Sequence, residues 1–273
     1  MKILIVTDME GCAGVLNHDD WVMPAGRYYE KGQRILTEET NAAIAGFFDA
    51  GASEVLVVDG HGMGGIDPEL LDERAMVQRG RHPGGFLGEL DEGYAGMAFV
   101  GQHAKAGTPF SHITHTQWFN YIDLAINGVS IGEYGQCVLL GMERGVRTFF
   151  AAGELALTHE AAELTPGVVT VAVKRGLLPD GLDHLDAEQY RAAKLGAVHC
   201  APKQARKLIY EGARKAAQRL KSDPTSFQFP QIKPPYIRTA RFRRDGDKPA
   251  WQALDRHESS LTEIIQMPYT PVR

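Results

Sequence analysis

The chain has 273 residues, 44% hydrophobic and 23% charged, with a formal net charge of −5, which is the composition of a globular protein long enough for one large α/β domain or two smaller lobes. The acidic balance excludes the basic footprint that nucleic acid or an anionic membrane surface requires, and no run approaches the roughly 18 apolar residues of a membrane span. Cys12, Cys137 and Cys200 cannot all pair with one another and lack zinc-cluster spacing; with an opening "MKILIVTDMEG" too short in apolar residues for a signal peptide, they predict free thiols in a reducing cytoplasm.

The stretch from Lys2 to Val6 is short, continuous and β-branched, which predicts a strand covered on both faces. It stops at Asp8-Met9-Glu10-Gly11. In an extended chain Asp8 and Glu10 share one face, because side chains repeat every two residues. Two like charges there repel unless a cation lies between them; the alternative is a solvated strand-to-helix loop. Residues 30–51 carry apolar side chains at helical spacing and end at Gly51. "EVLVVDGHG" (54–62) is a second buried strand ending in Asp59, Gly60 and His61. Residues 62–95 are rich in glycine and charge, a loop with one short helix near 68–77.

"MAFVGQHAKAG" (97–107) predicts a third strand ending at His103, and the loop after it carries His112 and His115. "YIDLAINGVSIGEYG" (121–135) has two apolar runs around Asn127-Gly128, a hairpin signal, with Glu133 following through Gly132. A helix is expected at 134–144, strands at 146–151 and 168–173, and a helix at 202–221. Residues 222–236 hold four prolines and read as an extended connection. The last forty residues are polar and irregular, with a strand at 236–243. The alternation predicts an α/β fold with a mostly parallel central sheet flanked by helices. Residues 1–220 form the α/β domain, and 221–273 the connection and a small C-terminal lobe of the same unit.

Ligands of open parallel sheets gather outside the carboxyl ends of the strands. Successive segments deliver Asp8 and Glu10, then Asp59 and His61, then His103, and after the hairpin Glu133 to that edge. Imidazole with carboxylate and no thiolate suits zinc or a neighbouring first-row metal. Two histidines and three carboxylates exceed the needs of one catalytic zinc and fit two metals about 3.5–4 Å apart sharing a carboxylate. A histidine beside them that does not ligate would carry protons or act as nucleophile.

Two other readings compete. "VTDMEGCAG" resembles the strand-end motif of haloacid-dehalogenase phosphatases, but Glu10 replaces the second aspartate and Cys12 the threonine. A non-enzymatic nucleotide- or metal-binding module would use "DGHGMGGID" (59–67) as a phosphate loop, yet that segment lacks both glycine-loop spacings.

Taken together, Asp8-Met9-Glu10-Gly11, the strand-end His61, Gly-x-His-Ala at 101–104, His-Thr at 115–116 and Asn-Gly-x-x-x-Gly-Glu at 127–133 resemble the D-aminopeptidase (DppA-type) family from residue 1 to about 210. The resemblance implies a cytoplasmic peptidase with two zinc ions per subunit, removing N-terminal residues, often D-residues, from short peptides. It also implies an α/β subunit in a ring-like homo-oligomer. By the same resemblance Asp8 bridges the metals, Glu10 and His61 ligate one, and His103 and Glu133 the other. His115 matches the catalytic histidine better than His112, which becomes a supporting or substrate-facing residue or merely a loop histidine. Asp59 is expected to orient His61 through a hydrogen bond. The C-terminal region departs from the strand-plus-helix ending of the family.

Overall fold

In the computed structural model, which describes residues 1–272, the opening run is β1 (Lys2–Thr7). There follow α1 (His18–Trp21), α2 (Tyr29–Asp49), β2 (Glu54–Asp59), β3 (Met76–Gln78), β4 (Gly96–Gln102), β5 (Tyr121–Ile126), β6 (Val129–Ser130) and α3 (Glu133–Glu143). The chain continues through β7 (Thr148–Glu154), α4 (Leu155–Leu164), β8 (Val169–Gly176), α5 (Ala187–Ala192), β9 (Ala197–His199) and α6 (Pro202–Ser222). It ends with β10 (Tyr236–Phe242), β11 (Trp251–His257) and α7 (Leu261–Gln266).

The central sheet has seven strands in the order β3-β2-β1-β4-β7-β8-β9, parallel except for β9, and a second sheet has the order β11-β10-β5-β6. Alternation along β1 sends Ile3 and Ile5 to one face, against Leu36, Ile44 and Phe47 of α2 and Ile209 and Ala213 of α6. Leu4 and Val6 go to the other, against Tyr134 and Val138 of α3 and Leu157 of α4. Both faces are therefore apolar, as a strand buried on two sides requires. From β1 the chain builds outward to β2 and β3, then returns to lay β4 on the other side of β1. The crevice between the carboxyl ends of β1 and β4 is thus the topological switch point, where open α/β sheets hold ligands.

Two sequence expectations are corrected. Residues 68–77 do not form a helix: the side chains of Asp67 and Asp72 accept hydrogen bonds from the backbone N–H of Glu69 and Arg74, making local turns that compete with a helix. Met76–Gln78 instead joins the sheet as an edge strand beside β2. The last forty residues are not irregular either. β10 and β11 pair along seven residues, and β10 pairs in turn with β5 of the hairpin. Their inward residues include Arg238, wholly buried, whose Nε and Nη2 donate to Asp255 Oδ2 at 3.0 and 2.7 Å. That buried ion pair made the segment look polar while its backbone alternates strictly. At the hairpin tip Asn127 and Gly128 have φ of 51° and 79°, the left-handed pair of a type I′ turn. Among the described residues, no helix is long and apolar enough to cross a membrane.

Candidate metal centre

The loop after β1 meets the loop after β4 at backbone contact distance. Asp8 N donates to Val100 O at 3.0 Å, and Gly11 N donates to Gly101 O at 2.7 Å. A Cβ on Gly11 would lie 2.0 Å from Gln102 O, and one on Gly101, whose φ is +75°, would lie 1.9 Å from Asp8 O. Only glycine permits this approach, and the approach carries Asp8 and His103 to one point.

Asp8 is the hub. Its Oδ1 lies 3.1 Å from His61 Nδ1, and its Oδ2 lies 3.2 Å from His103 Nε2 and accepts from Gln102 Nε2 at 2.9 Å. Glu10 Oε2 stands 3.3 Å from His61 Nδ1, and Glu133 Oε1 stands 3.6 Å from His103 Nε2. Two ligand atoms on a tetrahedral zinc with bonds of about 2.0–2.1 Å are about 3.3 Å apart, so these separations match the edges of such polyhedra. Asp8, Glu10 and His103 form one group, and His103, His115 and Glu133 another, each with ligand atoms within 4.8 Å of one another.

The imidazoles are oriented from behind. His61 Nε2 is 3.1 Å from Val22 O, His103 Nδ1 is 2.8 Å from Ala104 O, and His115 Nδ1 is 3.0 Å from Ile113 O. A carbonyl only accepts, so each of these nitrogens carries a proton and the opposite nitrogen faces the carboxylates. Burial opposes charge on Asp8, yet the His103 and His61 imidazoles beside it outweigh that and hold its carboxyl far below the usual range. Burial likewise pushes the His61 and His103 imidazoles down, while Glu10 and Asp8 around His61, and Glu133 and Asp8 around His103, raise both well above theirs. The site attracts positive charge. Two of its fully buried atoms, Glu10 Oε2 and His103 Nε2, have no hydrogen-bond partner. An orphaned buried polar atom is destabilising by about 1–3 kcal/mol, and a cation beside each would satisfy it. The residues present fit a zinc pair.

The two loop histidines separate. His115 lines a cavity of about 630 Å³ above this cluster, its ring stacked on His103 with centroids 4.2 Å apart. His112 is wholly buried outside the cavity, with Nδ1 3.0 Å from Lys174 Nζ; burial, with Lys174 and His199 nearby, pushes its imidazole down to about 2. The expectation for Asp59 is corrected. Its carboxylate does not hold His61; it accepts from Gly65 N at 2.7 Å and Ile66 N at 3.2 Å and pairs with Arg79. Those N–H groups are the ones a phosphate loop would offer, so the nucleotide-module reading loses its donors. The phosphatase reading needs a lysine in the site, but Lys174 is fully buried, donating to the backbone carbonyl of Glu10.

Several supporting residues escaped the sequence reading. Glu154, wholly buried at the end of β7, accepts from Ala104 N through Oε1 and from His112 N through Oε2, both at 2.8 Å. Glu160 on α4 accepts from Lys105 N at 2.9 Å and Gly132 N at 3.3 Å. Together they tie the segments that carry His103, His115 and Glu133. Glu154 had a usable signal: it ends a buried strand as Asp8 does, but the predicted strand stopped at 151, three residues short. His18 and Trp118 on one side and Ile265 and Gln266 of α7 on another complete the cavity wall. The C-terminal segment therefore reaches back to the site.

A family model described as D-aminopeptidase matches residues 1–257, beyond the stretch of motif resemblance. The D-aminopeptidase of Bacillus subtilis (strain 168) is 36% identical over 177 residues, 64% of each chain, so the match spans less than two thirds of that relative. Among solved structures, the Zn-dependent D-aminopeptidase DppA from Bacillus subtilis, described as a self-compartmentalizing protease, is similar with a TM-score of 0.76 at 28% identity, covering 89% of this chain and 82% of that one. The family model spans residues 1–257 of the 273: the chain belongs to the D-aminopeptidase family.

Proposed function

We propose that the protein is a dinuclear zinc aminopeptidase that hydrolyses the N-terminal bond of short peptides, including those with D-residues. The observation that carries this reading is the orphaned pair, Glu10 Oε2 and His103 Nε2, on either side of Asp8. Asp8, Glu10 and His61 would hold one metal, and Asp8, His103 and Glu133 the other. Bound zinc supplies Lewis acidity that polarises the scissile carbonyl and eases deprotonation of water.

The chain's own residues do the rest. His115 Nε2 is 3.9 Å from Glu10 Oε1 and 3.7 Å from Glu133 Oε1, beyond hydrogen-bond reach of either carboxylate. It is thus free to take a proton from the attacking group and return it to the leaving amine. Stacking on His103 and a tilted contact with Phe119 at 4.6 Å hold the ring's plane. The N–H of Gln117 donates to Glu133 Oε1 at 2.7 Å, fixing that carboxylate at the rim. Val6, Cys137, Leu140 and Ile265 make an apolar wall suited to a substrate side chain.

A homo-oligomer, ring-like as in the family resemblance, is part of the proposal. Phe110, Leu177, Leu178, Leu195 and Val198 are exposed together around β9, and exposed apolar clusters of this kind mark interfaces. A cytoplasmic setting accords with three free cysteines. The test is elemental analysis of purified protein with a zinc titration of wild type and Asp8→Asn, together with turnover of D-alanyl peptides. Two zinc ions per chain, loss of both sites in Asp8→Asn and peptide turnover abolished by chelation are expected. Equal two-site binding by Asp8→Asn would remove the bridge, and magnesium alone would overturn the peptidase reading.

A further inference from the structure

Beside the metal cavity lies a second hollow of about 560 Å³, lined by Asp59, Arg79, Arg81, His82 and glycine backbone. The two cavities share Gly60, Gly62, Met63 and Phe86, so they are neighbouring parts of one groove. We propose that this hollow receives the C-terminal carboxylate of a di- or tripeptide, with Arg79 and Arg81 as its donors. The proposal builds on the aminopeptidase reading and narrows its substrate class to short peptides with a free C-terminus.

Topology sets the reach. Arg79 and Arg81 follow β3, which lies beside β2, and β2 leads to His61. Adjacent strands are about 4.8 Å apart, whereas one extended peptide residue spans about 3.3–3.6 Å. The Arg79 guanidinium rests on Asp59, which pairs with Thr7 of β1, so it lies about one strand spacing from Asp8, and a chain with its scissile carbonyl at Asp8 reaches it within one or two further residues.

Charge and geometry set the ligand. The Asp59 carboxylate is buried and satisfied by Gly65 and Ile66 N–H groups, and its Oδ2 stands 3.3 Å from Arg79 Nε. This anchors the Nε side of the guanidinium, while 44% of the Arg79 side chain remains exposed. Gly64 makes room for it: a Cβ there would lie 2.7 Å from Arg79 Nη2. Arg79 is offset by Asp59 and His82 pairs with Glu89, while Arg81 has no carboxylate partner among the described residues. The hollow thus carries one uncompensated positive charge beside a planar donor fork, which suits a single carboxylate.

The experiment compares kcat/KM of the zinc-loaded enzyme for D-alanyl-D-alanine and for its C-terminal amide, with tri- and pentapeptides of the same series. The free acid should be preferred by roughly tenfold or more, the scale of a charge-assisted hydrogen bond, and preference should fall beyond three residues. Arg81→Ala, an exposed site, and Arg79→Lys should each move the acid-to-amide ratio towards one, chiefly through KM for the acid. Peptidase activity with equal turnover of acid and amide, or a ratio untouched in both variants, overturns the carboxylate subsite and leaves the aminopeptidase reading standing. Turnover of neither substrate overturns both.

Discussion

Glu154→Ala tests whether the site is held from below by a buried carboxylate. Glu154 has no solvent exposure, and its two oxygens accept from Ala104 N and His112 N at 2.8 Å each. Alanine leaves both N–H groups buried without acceptors. At about 1–3 kcal/mol for each orphaned group, the loss is about 2–6 kcal/mol. Lys174, also fully buried, loses the nearby negative charge that supports its own. With an unfolding entropy of about 2.1 cal/mol/K per residue, the melting temperature should fall by about 4–10 °C. The segments released follow His103 and precede His115, so zinc affinity should fall by roughly ten- to a hundredfold, as when partners behind metal ligands are removed. Calorimetry of the metal-free protein and zinc titration read the two effects separately. A melting temperature within 1 °C of wild type, together with unchanged zinc affinity, would refute the clamp.

Three further outcomes are expected. His115→Ala should keep its zinc and lose turnover by roughly a hundredfold or more, whereas His112→Ala should change turnover much less; elemental analysis alongside kinetics checks both, and zinc loss in His115→Ala would make that residue a ligand. Glu39 is buried, and burial raises its carboxyl to about 7 against the Ala13 N–H that accommodates its charge. A raised folded-state value means that wild type loses stability as pH climbs from the unfolded value of 4.5 through about 7. Glu39→Gln escapes this loss, so its melting temperature should overtake wild type above pH 7 by the equivalent of up to about 3 kcal/mol, with the gap closing towards pH 5. A pH-independent difference would refute that assignment. Gly101→Ala should fail to assemble the zinc site, because the new Cβ meets Asp8 O and the backbone is left-handed there; normal zinc content in a folded variant would refute it.

The ends of the buried strands were legible because they are local. A continuous apolar run stopping at Asp8-Met9-Glu10, and others stopping at His61 and His103, needs only side-chain periodicity and a break in hydrophobicity. The Asn127-Gly128 turn and the glycine-ended helix at 30–51 were legible for the same reason. What periodicity could not supply was neighbourhood. β1 lies between β2 and β4, not beside β2 alone, and this depends on contacts across ninety residues, such as Gly11 N to Gly101 O. Glu154 acts on Ala104 and His112, fifty and forty-two residues away, so its role was invisible until the strands were ordered. At the C-terminus, inward Arg238 masked the alternation of β10, because an arginine is buried only with its partner Asp255, and that pairing exists only once β10 and β11 meet. Local sequence determined which chemical groups end each strand; long-range packing decided which of them share one site, since that depends on strand order, which no short stretch encodes.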